Sequence, residues 1–190
     1  MPEYRRFYAG NAAFFFTVVS SNRMPILTTE FARGILHTAW KTVEKRFPFT
    51  TDAICLLPDH IHCLWTLPED DPNYSRRWSL IKKLFSQNYW NYVKSENEKH
   101  QVLPIRNESF IRRRELNIWQ RRFWAHYIED QDDLNRHLDY IHYNPVKHEL
   151  VKNVCDWPWS SFHRYVKMGF YDINWGGGDY DALNNMGEYE

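Results

Sequence analysis

Cysteine is scarce in this sequence, and it has no long apolar run. The 190 residues include three cysteines, Cys55, Cys63 and Cys155, with no Cys-x-x-Cys pair among them. A disulfide framework is therefore not expected, and a reduced compartment fits better. No apolar run approaches the roughly 20 residues of a membrane span, and the start, MPEYRRFYAG, lacks the apolar segment of a signal peptide. These absences predict a soluble, cytoplasmic protein with no membrane partner.

The net charge is zero, but the charges are unevenly distributed along the chain. Residues 76–127 contain twelve Lys or Arg against four Asp or Glu, whereas residues 51–75 contain five acidic residues and no base. Basic segments in a neutral chain can form a local surface for a polyanion. Solvated helix faces carry such charges too, so charge alone does not decide between the two interpretations. Aromatic residues, 17% of the chain, can likewise fill a core or stack on unpaired bases.

Hydrophobic periodicity predicts the order strand, helix, strand, strand, helix, strand, helix. The four predicted strands are NAAFFFTVVS, FTTDAICLLP, HIHCLWTLP and IWQRRFWAHYI. The first six elements match the β-α-β-β-α-β plan of ferredoxin-like domains. We therefore predict an α+β fold, a ferredoxin-like antiparallel sheet with helices packed on one face.

The predicted domain organisation is simple. Residues 1–175 form one domain, and no internal repeat is apparent. Within it, residues 95–117 are polar and basic and are expected to be a flexible insertion, while residues 176–190 form an acidic, glycine-containing tail. The first helix is expected to begin at Thr28 or Thr29. The third helix is expected to begin with Asp130 to Asp133 and to end near Asn144-Pro145.

A His-x-His triplet, His60-Ile61-His62, begins the third predicted strand. Side chains on a strand alternate between faces, so both imidazoles point the same way. Two imidazoles on one face are part of a minimal metal site that still needs a third ligand. Asp59 could accept a hydrogen bond from one ring and orient it, whereas alternation turns Cys63 away. A lone His pair is more often structural than metal-binding, so the triplet needs support from elsewhere.

Tyr140 and Asn144 lie four residues apart on the third predicted helix, so their side chains project from the same face. A phenol with a reference pKa of about 10 is a poor nucleophile while protonated, and its attack needs an electrophile activated by a metal. Asn144 could supply an amide oxygen as the third ligand, and two imidazoles with one amide oxygen suit Mg²⁺ or Mn²⁺. Packing by Tyr140 and helix termination by Asn144 remain open alternatives.

A family resemblance is carried by PDHIHCLWTLPEDDPNYSRRWSLIKKLF, IWQRRFWAHYI, HLDYIHYNPVKHELV and WPWSSFHRY. These segments resemble the single-tyrosine HUH transposases, in particular the REP-associated tyrosine transposases (RAYT). The specific motifs are the two histidines around a hydrophobic residue, and Tyr-x-x-x-Asn followed by Pro-Val-Lys-His. The resemblance runs from YRRFY to about residue 175. The 95–117 segment and the GGG-containing tail depart from the family pattern, and neither removes a catalytic residue.

The resemblance implies an HUH endonuclease fold and a metal-dependent enzyme. His60, His62 and Asn144 are then the ligands of Mg²⁺ or Mn²⁺, and Tyr140 is the nucleophile. The implied reaction is attack of Tyr140 on single-stranded DNA at a hairpin, which gives a 5′-phosphotyrosine and a free 3′-OH. The resemblance also favours a monomer over a dimer, and a cytoplasmic protein that is nucleoid-associated when bound to DNA.

DNA contacts are expected from basic and aromatic residues. The candidates are Arg5, Arg6, Tyr8, Arg76, Arg77, Lys82, Lys83, Trp159, His163 and Arg164. The first three resemble the N-terminal segment that contacts a guide sequence in this family. The basic residues of the second predicted helix could grip hairpin phosphates, with salt-sensitive affinity. Trp159, like Trp157, could equally anchor the core.

Three other functions remain open from the sequence. One is a water-based metal phosphodiesterase, in which Tyr140 does not attack. Another is a non-catalytic module that binds hairpin nucleic acid and whose His pair is structural. The third is a domesticated enzyme that processes scattered repeats for its host without mobilising DNA.

Overall fold

The computed structural model describes residues 12–100 and 118–176. Arg5, Arg6 and Tyr8 lie outside these residues, as do most of the predicted insertion and almost all of the acidic tail. The described elements are β1 (Ala12–Val19), α1 (Glu30–Arg46), β2 (Thr50–Leu56), β3 (His60–Leu67), α2 (Tyr74–His100), β4 (Trp124–Tyr127), α3 (Gln131–Lys147) and α4 (Phe162–Lys167). α2 therefore continues into the segment expected to be a flexible insertion. In the described ranges, no helix is both long enough and apolar enough to cross a bilayer.

The four strands form one sheet in the order β2-β3-β1-β4, and every neighbouring pair is antiparallel. The two helical connections, through α1 and α2, each cross over one intervening strand. This is the strand order of a ferredoxin-like domain, so the predicted α+β fold is confirmed. The long central strands β1 and β3 pair along their whole length, from Ala12 opposite Leu67 to Val19 opposite His60.

Helix starts follow the capping signals of the sequence. Thr29 is the N-cap of α1, and its side chain accepts a hydrogen bond from the Ala32 amide. Asp130 caps α3 in the same way, accepting from the Asp133 amide at 2.8 Å. Each cap satisfies one of the amide groups that the first helical turn leaves without an intrahelical partner.

The sheet is covered on both faces, which corrects the expectation of helices on one face. Phe16 and Val18 of β1 pack with residues of α1 and α2, while Ala13 and Phe15 pack with residues of α3. The physical reason lies in β1 itself, which is apolar at consecutive positions rather than at alternate ones. A strand of this kind has to be buried on both sides, and α3 provides the second cover.

The segment after α3 closes the β2 edge of the sheet. The Leu56 amide donates to the Trp159 carbonyl at 2.9 Å, and the Ser161 amide donates to the Ile54 carbonyl at 2.8 Å. The indole N–H of Trp157 donates to the Leu56 carbonyl at 3.0 Å. Trp157 is buried, so it is a core anchor, and the pairing protects an edge strand that would otherwise be open.

Candidate metal and nucleophile site

The His-x-His triplet begins β3 and faces α3. His60 and His62 are 1% and 0% exposed, and their ring centroids lie 4.7 Å apart. Ile61 between them belongs to the apolar cluster on the opposite face of the sheet. Strand alternation therefore brings both imidazoles to one side, as the sequence predicts.

Asp59 orients the first of these rings. Its carboxylate oxygen lies 2.6 Å from Nδ1 of His60, and its other oxygen accepts from the Arg23 guanidinium at 3.1 Å. Partial burial acts to raise the pKa of the Asp59 carboxyl, but its bonds to His60 and Arg23 bring that pKa below its ordinary value. Asp59 therefore contacts the His60 ring, where the sequence analysis placed it. Because the Asp59 carboxylate contacts Nδ1 of His60, Nε2 is the ring nitrogen that points away from Asp59.

Thr17 on the neighbouring strand orients the second ring. Its hydroxyl oxygen lies 3.0 Å from Nδ1 of His62, and the Phe15 ring stacks on the imidazole at 5.6 Å. Complete burial, followed by the charges of nearby basic groups, holds the pKa of His62 well below its ordinary value. His62 is therefore neutral at pH 7, which is the form that binds a metal.

α3 lies across the His pair. The Tyr140 ring contacts His62 with centroids 5.1 Å apart, and the His148 ring contacts His60 with centroids 5.0 Å apart. Asn144 is one helical turn from each, so it sits between these two contacts on the same face. The structure thus brings together the four residues that the sequence singled out, from two elements far apart in the chain.

The helix extends further than expected, because Pro145 lies inside it and α3 ends at Lys147. Proline lacks an amide hydrogen, so the helix is missing one intrahelical bond at this position. The end is then closed by bonds from the His148 amide to the Asn144 carbonyl and from the Leu150 amide to the Pro145 carbonyl, at 3.0 and 2.9 Å. Asn144 is consequently helical, and its side-chain direction is that of the Tyr140 face.

Two of the predicted metal ligands have buried polar atoms with no hydrogen-bond partner among the described residues. They are Nε2 of His62 and both side-chain atoms of the Asn144 amide. Buried polar atoms are normally satisfied, so unsatisfied ones call for an explanation. An imidazole nitrogen and an amide oxygen are suitable donors to a divalent cation. The residues present therefore fit the metal that the motif implies.

Lys147 is a residue of this site that the sequence reading missed. Its Nζ lies 5.0 Å from the centroid of the Tyr140 ring. Lys147 lies seven residues, or two helical turns, after Tyr140. Helical periodicity alone therefore places it on the same helix face as Tyr140. His148 was missed as well, although it lies two helical turns after Tyr140 and one turn after Asn144.

A second cluster joins β4 to the start of α3. His126, Asp133 and His137 place their potential ligand atoms within 4.8 Å of one another. One Asp133 oxygen lies 2.8 Å from Nε2 of His126, and the other lies 3.1 Å from Nδ1 of His137. The Arg136 guanidinium and the Glu129 amide also donate to this carboxylate. The carboxylate is thus fully engaged, and the cluster fixes α3 against the sheet one turn before Tyr140.

Arg77 has a structural position, which corrects its assignment to the DNA-binding set. It is 1% exposed, and its guanidinium donates to the carbonyls of Phe47 and Pro48 and to the Asp71 carboxylate. These bonds tie the start of α2 to the loop between α1 and β2. Helical periodicity turns this position toward the core, where its donors are used by the protein and none remains for a phosphate.

The other predicted DNA contacts on α2 lie at the surface or near it. Arg76 and Lys83 are exposed, and the Arg76 guanidinium stacks on the Phe47 ring at 4.1 Å. Lys82 is half-buried and donates to the Gln120 carbonyl at 2.6 Å. Lys82 therefore joins α2 to the segment before β4 as well as contributing charge.

The candidates in the C-terminal segment line the β2 edge. Trp159 is half-buried beneath the Arg33 guanidinium, which lies 4.9 Å from the centroid of one of its rings. Arg164 is exposed, and its guanidinium donates to the Asp52 carbonyl. His163 is half-buried beside Phe162. These residues lie on the far edge of the sheet from β4.

Comparison with known proteins finds close relatives. No family model matches the chain. The REP-associated tyrosine transposase of Escherichia coli K12 is 41% identical over 178 residues, which is 93% of this chain and 92% of that protein. A relative from Haemophilus influenzae, assigned provisionally to the same transposases, is 44% identical over 177 residues, covering 93% and 94% of the two chains. A solved REP-associated tyrosine transposase bound to a REP hairpin is 41% identical, with a TM-score of 0.68 over 94% of this chain and 93% of that chain.

Proposed function

The chain belongs to the REP-associated tyrosine transposases, a family of enzymes, and on that premise we propose that it cuts and rejoins single-stranded DNA at hairpins through Tyr140. One observation carries this proposal. Within a buried site, the Tyr140 ring contacts His62, and Asn144 lies one turn further on the same helix face. A solved relative is bound to a REP hairpin, which supports hairpin DNA as the substrate class.

The proposed reaction is a transesterification. The Tyr140 phenolic oxygen forms a bond to phosphorus, the bond from phosphorus to the 3′ oxygen breaks, and the strand 3′ to the cut is left on the enzyme as a 5′-phosphotyrosine. The phenolic proton passes to water, and the departing 3′ oxygen takes a proton to become a hydroxyl. One phosphodiester replaces another, so the 3′-OH can reverse the step without a nucleotide cofactor. Because Tyr140 is 2% exposed, DNA binding has to move part of the surrounding chain.

His60, His62 and Asn144 would hold the divalent cation, Mg²⁺ or Mn²⁺. When bound, the cation supplies Lewis-acid polarisation of the phosphate. The buried Nε2 of His62 and the buried Asn144 amide support this position, because neither has a hydrogen-bond partner in the described ranges. In the His126–Asp133–His137 cluster, by contrast, the carboxylate oxygens are already engaged by neighbouring donors.

The proposed DNA contacts keep the surface candidates and leave out Arg77. Arg76, Lys82 and Lys83 would follow hairpin phosphates along α2, while Trp159, His163 and Arg164 would contact the strand beside the hairpin. Arg5, Arg6 and Tyr8 stay in the set as well. A monomer remains our expectation for the oligomeric state.

The nucleophile is tested by covalent capture. A REP hairpin oligonucleotide with a single-stranded flank and a 3′-end label is incubated with protein and Mn²⁺, and labelled protein is then detected on a denaturing gel. The unaltered protein should become labelled, and Tyr140→Phe should not. Tyr143→Phe is the matched control, because Tyr143 is a buried tyrosine on the same helix that packs against Trp175.

The possible outcomes separate the candidate functions. Loss of label in Tyr140→Phe alone supports the tyrosine mechanism. Cleaved DNA without labelled protein, unaffected by Tyr140→Phe, would identify a water-based phosphodiesterase. Hairpin binding without any cleavage by the unaltered protein in either metal would identify a non-catalytic binding module.

A further inference from the structure

Lys147 presents a buried cation beside the proposed nucleophile. Its Nζ lies 5.0 Å from the centroid of the Tyr140 ring, and this atom is buried without a hydrogen-bond partner among the described residues. Nor does the side chain form an ion pair with any carboxylate of that part of the chain. Removing an ammonium group from water without a counter-ion is unfavourable. A group of this kind therefore marks a place where an anion can be accommodated.

Lys147 lies close enough to the His pair for its charge to act there. The charge of Lys147 is felt at His62, where it contributes to holding down the pKa of that imidazole. The carboxylate nearest to the His pair is Asp59, and it is already bonded to His60 and Arg23. No acidic side chain of the described ranges is thus paired with Lys147, which leaves its charge available to a ligand.

We propose that Lys147 is a further catalytic residue, whose ammonium group binds an oxygen of the scissile phosphate beside Tyr140. This inference rests on the proposed function, since it concerns the same reaction. As the Tyr140 oxygen bonds to phosphorus and the 3′ oxygen leaves, negative charge grows on the phosphoryl oxygens and on the two oxygens in line. A fixed cation within reach of the phenol stabilises that charge more than it stabilises the ground state. Lys147 itself gains and loses no proton.

The competing explanation is that Lys147 only packs on the Tyr140 ring. A cation over an aromatic face is attractive in its own right, and in that case its loss would change the stability or the position of Tyr140 without involving the phosphate. The two roles differ in one respect. Only a phosphate-binding lysine responds to the charge of the scissile phosphate itself.

The decisive experiment is a binding cycle that involves no chemistry and no metal. It uses Tyr140→Phe protein, which keeps the aromatic ring but cannot form the covalent bond, in buffer with EDTA. The probes are a REP hairpin oligonucleotide, its cleavage position first mapped with the unaltered protein, and the same strand with a neutral methylphosphonate at that position. We expect the methylphosphonate to weaken binding roughly tenfold in Tyr140→Phe and hardly at all in Tyr140→Phe/Lys147→Met.

Two controls accompany this cycle. A methylphosphonate two nucleotides away should weaken binding equally with and without Lys147. Lys152→Met removes an exposed lysine that follows α3, and in its background the penalty at the scissile position should persist. If the methylphosphonate at the scissile position weakens binding equally in Tyr140→Phe and in Tyr140→Phe/Lys147→Met, the proposal is overturned.

A kinetic measurement tests whether Lys147 stabilises the transition state. In single-turnover reactions with Mn²⁺, Lys147→Met should slow formation of the covalent adduct on the order of a hundredfold, and Lys147→Arg should recover part of the rate. Rejoining should slow as well, because Tyr140 is the leaving group in that direction. Mn²⁺ affinity, measured by calorimetry without DNA, should stay the same or increase, since a neighbouring cation is lost. Weaker Mn²⁺ binding would instead indicate a structural role and count against the proposal.

Failure of the inference differs from failure of the proposed function. If the unaltered protein forms an adduct that Tyr140→Phe abolishes, and Lys147→Met behaves like Lys152→Met, only the role of Lys147 is rejected. If the unaltered protein forms no adduct with Tyr140, the proposed function itself is rejected and the role of Lys147 falls with it.

Discussion

Thr17 and His62 face each other across β1 and β3, and the Thr17 hydroxyl oxygen lies 3.0 Å from Nδ1 of the His62 ring. A His62 that binds a metal through Nε2 carries its proton on Nδ1, and that N–H then donates to the Thr17 oxygen. The threonine thus holds the ring in place and can accept from Nδ1–H when the lone pair on Nε2 is needed for a metal. Neither residue lies near the other in sequence, so only the pairing of the strands creates this relationship.

Thr17→Val should weaken metal binding while leaving the shape of the side chain nearly unchanged. The variant removes the hydrogen-bond partner of His62 Nδ1, so the ring is no longer held in its orientation. Loss of a partner of this kind typically lowers metal affinity 10- to 100-fold. Calorimetric titration with Mn²⁺ checks this. Thr17→Ser should retain most of the affinity, and Thr38→Val, at an exposed position on α1, should retain all of it. Unchanged affinity in Thr17→Val would show that Thr17 does not orient the ligand.

Asn144→Ala should separate metal binding from folding. Neither side-chain atom of Asn144 has a hydrogen-bond partner in the described part of the chain, so its removal breaks no bond of the fold. We expect the free energy of unfolding without metal to change by about 1 kcal/mol or less, while Mn²⁺ affinity and covalent adduct formation are lost. Urea denaturation and calorimetry measure the two effects.

Asn153→Ala, at an exposed position, is the matched control for Asn144→Ala and should bind Mn²⁺ normally. An Asn144→Ala protein that is strongly destabilised and still binds Mn²⁺ would indicate that the amide is a structural helix terminator.

Arg77→Met should reduce stability and leave DNA affinity unchanged. The buried guanidinium satisfies the Phe47 and Pro48 carbonyls and pairs with Asp71, so its removal leaves buried acceptors without donors. A loss of about 3 kcal/mol in the free energy of unfolding is expected. Thermal and urea denaturation test this.

Lys83→Met is expected to behave in the opposite way to Arg77→Met. Lys83 is exposed on the same helix, so its loss should leave stability unchanged. If it contacts a phosphate, the variant should lower the slope of log affinity for hairpin DNA against log salt by about one. A fully folded Arg77→Met protein with a lower salt slope would restore Arg77 to the DNA-binding residues.

The cysteines should differ in reactivity. Cys55 and Cys63 are both 0% exposed, and burial raises the pKa of each thiol, so neither presents a thiolate at neutral pH. Cys155 is partly exposed. Of the three thiols, we expect one to react promptly with a chromogenic disulfide reagent in native protein, and all of them in urea. Cys155→Ser should abolish the prompt reaction; a second prompt thiol would contradict the described burial.

Much of the fold was readable from local pattern. The alternation of β3 places His60 and His62 on one side because a strand has a period of two, and the capping residues Thr29 and Asp130 mark where helices begin because they satisfy amides of the first turn. The spacing of Tyr140 and Asn144 likewise determines that they share a helix face. Each of these inferences depends on neighbours within a few residues, and for that reason the sequence is sufficient.

What the sequence could not supply depends on contacts between distant segments. That Thr17 meets His62 follows from the pairing of β1 with β3. That α3 covers the second face of the sheet, with its Tyr140 side on the His pair, follows from how the helix packs on the sheet. Arg77 and Lys147 show the same limit for single side chains. Both are basic residues on helices. Arg77 donates to buried backbone carbonyls, whereas Lys147 lies over the Tyr140 ring. A local pattern identifies a face of a helix or strand, whereas only tertiary packing decides which faces meet and which charges are left without a partner.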